Sequence, residues 1–267
     1  MTYAETDLVA TIEELAGVGI GALTASQRDG IDQFHSGGAE AVDRILPGLR
    51  LAPGMTVLDV GSGLGGPARQ VALAAGCRVV GVDLTPAHVD AARALTDVVG
   101  LAGQVEFRCA DIADVERGGF DAAYTMHVQM NVADKAAFFA AVADRLRPGA
   151  RFATFEVCRR GQADPVLPLP WSIDGSDSFL ATPADLCVAI EDAGFEAVEW
   201  VDETAWVLEW FAELGARLAA ADTAATLPAL LTDGPTRMLN FAAALDDDVL
   251  TVHRGAFRLA RSSAVQP

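Results

Sequence analysis

Lysine is almost absent from this chain of 267 residues: Lys135 is the only one, and acidic residues exceed basic ones to give a formal net charge of −18. Proteins bind nucleic acid and anionic membranes through basic surfaces that attract phosphate. The charge balance therefore argues against both kinds of partner and leaves a small molecule as the expected one.

Cysteine and long apolar runs are also scarce. The four cysteines stand singly, without a CxxC pair, and no stretch approaches the roughly 18 to 20 uninterrupted apolar residues of a membrane-spanning helix. The opening MTYAETD carries acids where a secretory signal would carry basic residues. No spacing of His, Cys and Asp is typical of a metal site. We expect a cytoplasmic protein without a bound metal, either a monomer or a homodimer.

What the sequence does contain, from Thr56 onward, is a regular alternation of short apolar runs with Ala-rich helical stretches. This alternation is typical of βαβ units around a parallel sheet. The predicted fold class is therefore α/β, with a doubly wound, mostly parallel seven-stranded sheet. The predicted strands are 56–60, 78–82, 104–108, 121–125, 151–157, 196–201 and 250–260. The predicted helices of this region are 66–75, 86–98, 134–146, 183–193 and 205–220.

The residues ahead of the first strand form a helical leader. Apolar residues at helical spacing predict one helix over 4–17 and another over 41–49. The stretch SQRDGIDQFHSGG at 26–38 is polar and rich in glycine, so it is predicted to separate the two helices. We assign residues 1–54 to an N-terminal helical cap.

The remainder, 55–267, is predicted to be the core, joined to the cap in a single structural domain. A Pro- and Gly-rich excursion follows the fifth strand, and it is typical of a substrate loop. We predict lid insertions at about 158–182 and 204–248. An apolar stripe within the second insertion is expected to pack against the core: Trp206, Trp210, Leu214 and Leu218.

A glycine-rich turn is the sharpest motif. The segment VLDVGSGLGGPARQVA at 57–72 is predicted to be a strand that ends in glycines and opens a helix. Glycines allow the backbone to approach a ligand closely, and the helix N-terminus offers free N–H groups. Gly61, Gly63 and Gly66 satisfy the dinucleotide-binding pattern, and Asp83, 22 residues beyond Gly61, suits a ribose diol. The turn predicts a nucleotide-like cofactor.

Asp59 separates two cofactor classes. A carboxylate two residues before Gly61 would repel the pyrophosphate of NAD, whereas it can hold the ammonium end of an amino-acid moiety. A Tyr-x-x-x-Lys pair is impossible here, because Lys135 is the only lysine and residue 131 is Asn. S-adenosylmethionine is therefore favoured. The alternatives are an NAD-dependent oxidoreductase and a protein that binds S-adenosylmethionine without transferring its methyl group.

The segment DVGSGLG at 59–65 resembles the first motif of class I S-adenosylmethionine-dependent methyltransferases. Asp83 resembles that family's ribose carboxylate, Asp111 resembles its adenine-binding acid, and RPGARF at 147–152 is similar to its turn into strand five, with Ala150 in place of a glycine. The resemblance covers roughly residues 55–200. It implies a Rossmann-like methyltransferase fold, with N-terminal helices and a helical lid. It also implies a set of cofactor-binding residues: Asp59, Gly61, Ser62, Gly63, Asp83, Leu84, Asp111, Ile112, Met126 and Gln33.

Three further segments are similar to small-molecule methyltransferases of the sarcosine and dimethylglycine type. They are DQFHSGG at 32–38, TMHVQMNVADK at 125–135 and the PW-containing loop at 170–180. The resemblance implies methyl transfer to a small-molecule acceptor by in-line displacement, with nitrogen slightly favoured over oxygen or carbon as the attacked atom.

Candidate acceptor residues follow from their place in this arrangement. The end of strand four delivers side chains to the ligand crevice of such a sheet, so His127 is the first candidate for a general base. His35, in the leader, is the second, since imidazole titrates near neutral pH. Asn131, Trp171 and Phe34 are candidate substrate contacts, the two aromatic rings through their π-faces. For both histidines and both aromatic residues, packing or loop positioning is the competing interpretation.

Overall fold

The computed structural model of the chain describes residues 7–220 and 226–261. Seven strands form one sheet: β1 (Thr56–Val60), β2 (Arg78–Asp83), β3 (Val105–Cys109), β4 (Phe120–Met126), β5 (Leu146–Arg159), β6 (Phe195–Asp202) and β7 (Leu250–Leu259). Their order across the sheet is β3-β2-β1-β4-β5-β7-β6. Strand β7 runs antiparallel to both of its neighbours, β5 and β6, whereas all other adjacent strands are parallel. The predicted α/β class and mostly parallel sheet are confirmed.

Nine α-helices occur within the described ranges. They are α1 (Leu8–Ala16), α2 (Ala25–Asp32), α3 (Gly38–Leu49), α4 (Gly66–Ala75), α5 (Pro86–Val98), α6 (Lys135–Arg145), α7 (Pro183–Asp192), α8 (Thr204–Ala220) and α9 (Gly234–Asp246). Every core strand and helix named from the sequence has a counterpart that starts within five residues of the predicted position. None of the described helices is long and apolar enough to cross a membrane.

The fifth strand begins earlier than predicted. Phe120 of β4 pairs with Leu146, and the next paired residue, Ala122, faces Arg151, so the intervening turn bulges out of the ladder. Gly149 occupies this turn with φ +82°. Strand β5 therefore begins at Leu146, ahead of the Pro-Gly turn, whereas the sequence pattern predicts that it begins after that turn, at 151.

The leader differs from the prediction in one helix. Residues 26–38 were predicted to be a separator, but α2 occupies most of that stretch. Its N-terminus is a capping box, in which the Thr24 hydroxyl accepts from the Gln27 N–H and the Gln27 side chain accepts from the Thr24 N–H. This local hydrogen bonding stabilises a helix of low hydrophobicity. Helix α1 agrees with the prediction over its described part, whereas residues 4–6 lie outside the described residues.

Arg69 of α4 fixes the leader against the core. Its guanidinium Nη2 donates to Asp32 Oδ2 at 2.6 Å and to the Leu64 carbonyl at 2.9 Å, while Nη1 donates to Thr96 Oγ1 at 2.9 Å. Arg69 and Asp32 are both buried. Removing one partner of a buried pair leaves an uncompensated charge in the interior, so this contact holds α2, α4, α5 and the glycine turn in one arrangement.

The apolar stripe of α8 packs partly as predicted. Trp206 lies against the main apolar cluster, with its ring edge-on to Phe155 at 6.2 Å between centroids. The Arg44 guanidinium lies 3.9 Å above the same indole ring. Trp210 makes an edge contact with Phe211, and the side chain of Leu218 lies outside the described residues.

Gly65→Ala is expected to lower the free energy of unfolding by about 2 to 4 kcal/mol, which guanidinium denaturation would measure. Gly65 has φ +77°, and a Cβ there would lie 2.3 Å from Phe107 Cζ. The matched control is Gly118→Ala, because Gly118 has φ +70° but no atom within 4 Å of its Cβ position. Its expected loss is only about 1 kcal/mol. Equal losses for the two variants would contradict the predicted clash.

Candidate active site

A cleft of about 810 Å³ opens at the carboxyl ends of the central strands. Strand β1 lies between β2 and β4, so the chain's winding direction reverses at this position of the sheet. Ligands of doubly wound α/β folds bind in the crevice at such a switch point. The cleft therefore lies where the sequence analysis expected the cofactor.

The glycine turn forms the floor of the cleft. Gly61 and Gly63 adopt φ +76° and +50°, a region that glycine enters without steric cost. The N–H groups of Gly61 and Ser62 donate to the Val82 carbonyl at 2.8 and 3.0 Å. A Cβ at Gly61 would lie 2.5 Å from Val128 Cγ2, so the turn also requires glycine to approach the loop after β4.

Asp83, at the end of β2, braces the turn and lines the cleft. Its Oδ2 accepts from the Gly63 N–H at 2.9 Å, its Oδ1 accepts from the Thr85 N–H at 2.8 Å, and His88 Nδ1 lies 3.6 Å from Oδ1. Burial alone would raise the pKa of Asp83, but His88 and the two N–H donors outweigh it and lower the pKa. A carboxylate has about four acceptor positions, so these contacts leave room for a ribose diol.

Asp59 presents a buried and unsatisfied oxygen. Its side chain lines the cleft, yet Oδ2 has no hydrogen-bond partner among the described residues. Burial raises the pKa of Asp59 to about 7, and the nearby Tyr124 hydroxyl opposes this rise. Ser62 Oγ is likewise buried on the cleft wall without a partner in the described ranges. Orphaned acceptors of this kind fit a ligand that donates hydrogen bonds, such as the ammonium end of S-adenosylmethionine.

The remaining predicted cofactor residues divide into two groups. Leu84, Asp111, Ile112 and Met126 line the cleft as expected. Asp111 also begins a short 3-10 turn and accepts from the Ala113 N–H at 2.8 Å, so it has a capping role beside any contact with adenine.

Gln33 does not line the cleft. Its side chain is buried, with Oε1 3.0 Å from His35 Nε2 and Nε2 3.4 Å from Gln70 Oε1. It therefore joins His35 of the leader to Gln70 of α4. Its cofactor-binding role remains a prediction, since its side chain does not reach the cleft lining.

His127 lies on the cleft wall in an unusual backbone conformation, with φ +55°. Its N–H donates to the Phe155 carbonyl at 2.8 Å, and its ring stacks on the Phe155 ring at 5.8 Å between centroids. Nε2 lies 3.1 Å from Ser36 Oγ. Burial lowers the pKa of His127 well below its usual range, and His35 lowers it further. The imidazole is therefore neutral at pH 7, and its burial weakens it as a proton acceptor.

His35 lies beside His127, with 6.2 Å between the ring centroids. Its Nδ1 is 3.0 Å from the Ser36 carbonyl. Burial lowers the pKa of His35 to about 4, although the Ser36 backbone opposes this shift. The structure thus brings both predicted histidines together, with Ser36 between them.

The three predicted substrate contacts have different surroundings. Phe34 lines the cleft, 5.5 Å from the His88 ring between centroids. Asn131 lines it too, but Nδ2 donates to the backbone carbonyls of Trp171 and Asp177 at 3.1 and 2.9 Å. Trp171 is fully buried, edge-on to Phe241, and it does not line the cleft. This placement favours the packing interpretation for Trp171 and a loop-positioning role for Asn131.

Sequence reasoning missed Glu156 and Ser36. Glu156 is fully buried on β5, and Oε2 accepts from the N–H groups of Val128 and Gln129 at 2.9 and 3.2 Å. It therefore holds the loop that carries His127. Burial raises the pKa of Glu156 to about 7. The available signal was an acid within the apolar run TFEVC.

Within the described part of the chain, no group of three or more His, Cys, Asp or Glu side chains could hold a metal ion.

The sheet with its antiparallel β7 and the cleft at the β1 switch point define the Rossmann-like methyltransferase fold. Residues 58–154 match the family model described as a methyltransferase domain. The resemblance to class I S-adenosylmethionine-dependent methyltransferases is thereby confirmed, and S-adenosylmethionine is supported as the cofactor of the class.

Curated relatives of the chain differ in the atom that they methylate. The chain is 27% identical over 158 residues to methyltransferase phqN of Penicillium fellutanum, covering 56% of this chain and 48% of that protein. It is 28% identical to O-methyltransferase resE of Aspergillus sclerotiorum, covering 58% and 60%. It is 32% identical to phosphoethanolamine N-methyltransferase 1 of Arabidopsis thaliana, covering 46% and 25%. The chain thus spans less than two thirds of each of these relatives.

Solved structures share the fold at low identity. Geranyl diphosphate C-methyltransferase from Streptomyces coelicolor A3(2) superposes with a TM-score of 0.66 at 22% identity, covering 82% of this chain and 74% of that one. A putative sarcosine dimethylglycine methyltransferase from Galdieria sulphuraria superposes with a TM-score of 0.67 at 15% identity, covering 83% of this chain and 85% of that one. The [4+2]-cyclase SpnF superposes with a TM-score of 0.67 at 22% identity, covering 84% of this chain and 82% of that one. The likeness shows the fold and leaves the reaction open.

Asp59→Asn is expected to raise the free energy of unfolding at pH 8 by at least about 1 kcal/mol, which urea denaturation at pH 5.5 and pH 8 would measure. The pKa of Asp59 is about 7 in the folded chain against an ordinary value of 3.8. The folded chain therefore binds a proton between these values that the unfolded chain releases. The contribution of Asp59 to stability is full below pH 3.8 and is lost as pH rises through 7. Asp59→Asn therefore makes the free energy of unfolding depend less strongly on pH between 5.5 and 8.

Asp83→Asn is the matched control, because its expected effect has the opposite sign. The pKa of Asp83 is lowered in the folded chain, so its contribution to stability is present above the ordinary pKa and is lost as pH falls. This variant is expected to be less stable than the parent at pH 8. Destabilisation of both variants at pH 8 would contradict the assignment of Asp59 as a strained carboxylate.

Proposed function

We propose that this chain transfers a methyl group from S-adenosylmethionine to a small-molecule acceptor. The observation that carries the proposal is the buried carboxyl of Asp59, a cleft-lining residue directly before the glycine turn that Asp83 braces; its Oδ2 lacks a close hydrogen-bond partner among the described residues. A buried carboxylate oxygen there requires a donor, and an amino-acid ammonium supplies one. The pyrophosphate of a dinucleotide would supply none, so the oxidoreductase alternative is disfavoured.

The residues of the cleft would divide the cofactor between them. Asp59 and the turn at Gly61 and Gly63 would hold the amino-acid end, Asp83 the ribose, and Asp111 with Ile112 the adenine. S-adenosylmethionine supplies an electrophilic methyl group on a sulfonium. The chain's contribution to such a displacement is to hold the nucleophile in line and to exclude water.

His127 is the proposed general base for an acceptor that arrives protonated. It faces the cleft, its ring is fixed by Phe155 and Ser36, and its lowered pKa keeps it neutral. His35 supports it as second candidate through the shared Ser36 contact. We keep nitrogen as the slightly favoured target atom, and a cytoplasmic monomer or homodimer as the expected form.

Calorimetry with S-adenosylhomocysteine tests the cofactor assignment, with micromolar affinity expected for the parent chain. Asp83→Ala is expected to lose most of that affinity, because the turn loses its brace and the ribose loses its acceptor. Asp90→Ala is the matched control, since Asp90 lies on α5 with its side chain 72% exposed and outside the cleft. Absence of binding in folded parent protein, or unchanged affinity in Asp83→Ala, would remove the basis of the proposal.

One structural neighbour is named as a cyclase and not as a methyltransferase. Methyl transfer therefore needs a test of its own, separate from the test of cofactor binding. Incubation with methyl-labelled S-adenosylmethionine and a panel of amines, phenols and acids separates the two. A labelled product supports the proposal. Cofactor binding without labelled product across the panel would favour a protein that binds the nucleoside without transferring its methyl group.

His127→Asn is expected to slow methylation of a protonated acceptor by at least about a hundredfold while leaving S-adenosylhomocysteine affinity within about threefold. Asparagine tolerates the left-handed backbone at this position, so the loop is expected to keep its shape. The loss should shrink as the pH rises and the acceptor deprotonates in solution. A rate loss that is independent of pH would contradict a base role.

A further inference from the structure

A buried hydroxyl in the strand next to the glycine turn has no described partner. Tyr124 is fully buried in β4, and its ring packs in the main apolar cluster. Its hydroxyl oxygen lacks a close hydrogen-bond partner among residues 7–220 and 226–261. A buried tyrosine hydroxyl usually has a partner, because desolvation without one costs free energy that a phenylalanine would avoid. Packing alone therefore does not explain a tyrosine at this position.

The sheet places Tyr124 next to Asp59. The two residues are register partners in the parallel pairing of β1 and β4. Side chains at paired positions of neighbouring strands project to the same face of a sheet. Asp59 is also buried, and its Oδ2 likewise lacks a close hydrogen-bond partner among the described residues. A donor and an acceptor that both lack a close partner thus lie side by side in the described interior.

The surrounding groups favour donation from Tyr124 to Asp59. Burial, followed by the Asp59 charge, raises the pKa of Tyr124 well above its usual range, so the hydroxyl keeps its proton. Burial raises the pKa of Asp59 to about 7; Tyr124 opposes that rise most strongly, Asp83 adds to it and Arg69 opposes it. Cys77, which also acts on Tyr124, is a thiol whose pKa burial raises, so it is uncharged at neutral pH. Tyr124 is therefore the main support of the ionised Asp59 carboxylate.

Tyr124 can act on the cleft only from behind. Asp59 lines the cleft, whereas Tyr124 does not, so its hydroxyl influences a ligand through Asp59. The charged neighbours of Asp59 have partners of their own: Arg69 is paired with Asp32, and Asp83 accepts from two backbone N–H groups. A carboxylate has about four acceptor positions. Asp59 can therefore accept from Tyr124 and from a ligand in the cleft at the same time.

We propose that Tyr124 is a positioning residue of the cofactor site, whose hydroxyl donates to the Asp59 carboxylate and keeps it ionised for the ammonium group of S-adenosylmethionine. This inference rests on the proposed function and adds a residue that the cofactor does not touch. Without the hydroxyl, burial and the Asp83 charge favour the protonated acid, which attracts an ammonium only weakly. Cofactor binding then weakens at neutral and acidic pH, and it recovers at higher pH, where Asp59 ionises without this support.

Calorimetry with S-adenosylhomocysteine at pH 6.5 and pH 8.5 tests the proposal on the full chain, because this molecule keeps the amino-acid end of the cofactor. Tyr124→Phe removes only the hydroxyl and retains the buried ring. At pH 6.5 we expect its affinity to be about tenfold below that of the parent chain. At pH 8.5 the two affinities are expected to agree within about threefold. A loss that depends on pH in this way distinguishes control of Asp59 ionisation from a general disturbance of the fold.

Thr154→Val is the matched control, because it removes another buried sheet hydroxyl that lacks a close partner among the described residues, outside the cleft lining. It should leave both affinities unchanged. In an Asp59→Asn background, Tyr124→Phe should have no further effect at either pH. An equal loss at both pH values, no loss at pH 6.5, or an undiminished effect in the Asp59→Asn background would each overturn the inference. Absence of binding by the parent chain at both pH values would instead overturn the proposed function, and the inference with it.

Discussion

The buried contact between Arg69 and Asp32 is the constraint on which the cleft depends. It joins the leader to the helix that follows the glycine turn, and it places Phe34, His35 and Ser36 over the carboxyl ends of the strands. Because Arg69 also donates to the Leu64 carbonyl, one guanidinium orders both the turn and its cover. Hydrogen bonds between Ser36 and His127 and from Gln70 to the Ala39 carbonyl add to this contact in positioning the leader.

Three acids at the cleft or behind it are buried, and the fold does not fully compensate their charge. Burial raises the pKa of Asp32 to about 6 and the pKa values of Asp59 and Glu156 to about 7. Two of them serve the architecture, through Arg69 and through the N–H groups of Val128 and Gln129. Asp59 has mainly the nearby Tyr124 hydroxyl to offset its burial, and its Oδ2 lacks a close hydrogen-bond partner among the described residues. Functional sites commonly retain such a destabilised group because a ligand, rather than the fold, completes its hydrogen bonding.

The parts of the structure that the sequence predicted well are those governed by local chemistry. The strand, glycine turn and helix at 56–75 follow from backbone freedom and periodicity, and Asp83 follows from its place at the end of the next strand. Contacts between distant segments could not be predicted in this way. The Ser36–His127 contact joins residues 91 positions apart, and nothing in the local pattern indicates it. Trp171 looked like a ligand contact because aromaticity does not reveal whether a ring faces the core or a cleft.

The single lysine has a consequence for chemical labelling. Lys135 joins the loop after β4 to the loop at 170–179 through two backbone carbonyls, and burial lowers its pKa, although Glu156 opposes this shift. Acylating reagents therefore meet just one side-chain amine in the whole sequence, and that amine takes part in joining the two loops. Covalent capping of that nitrogen would remove both of its hydrogen bonds while Lys135 itself stays outside the cleft lining, so one reagent can probe what this contact adds to the hydrogen bonds that Asn131 makes between the same loops.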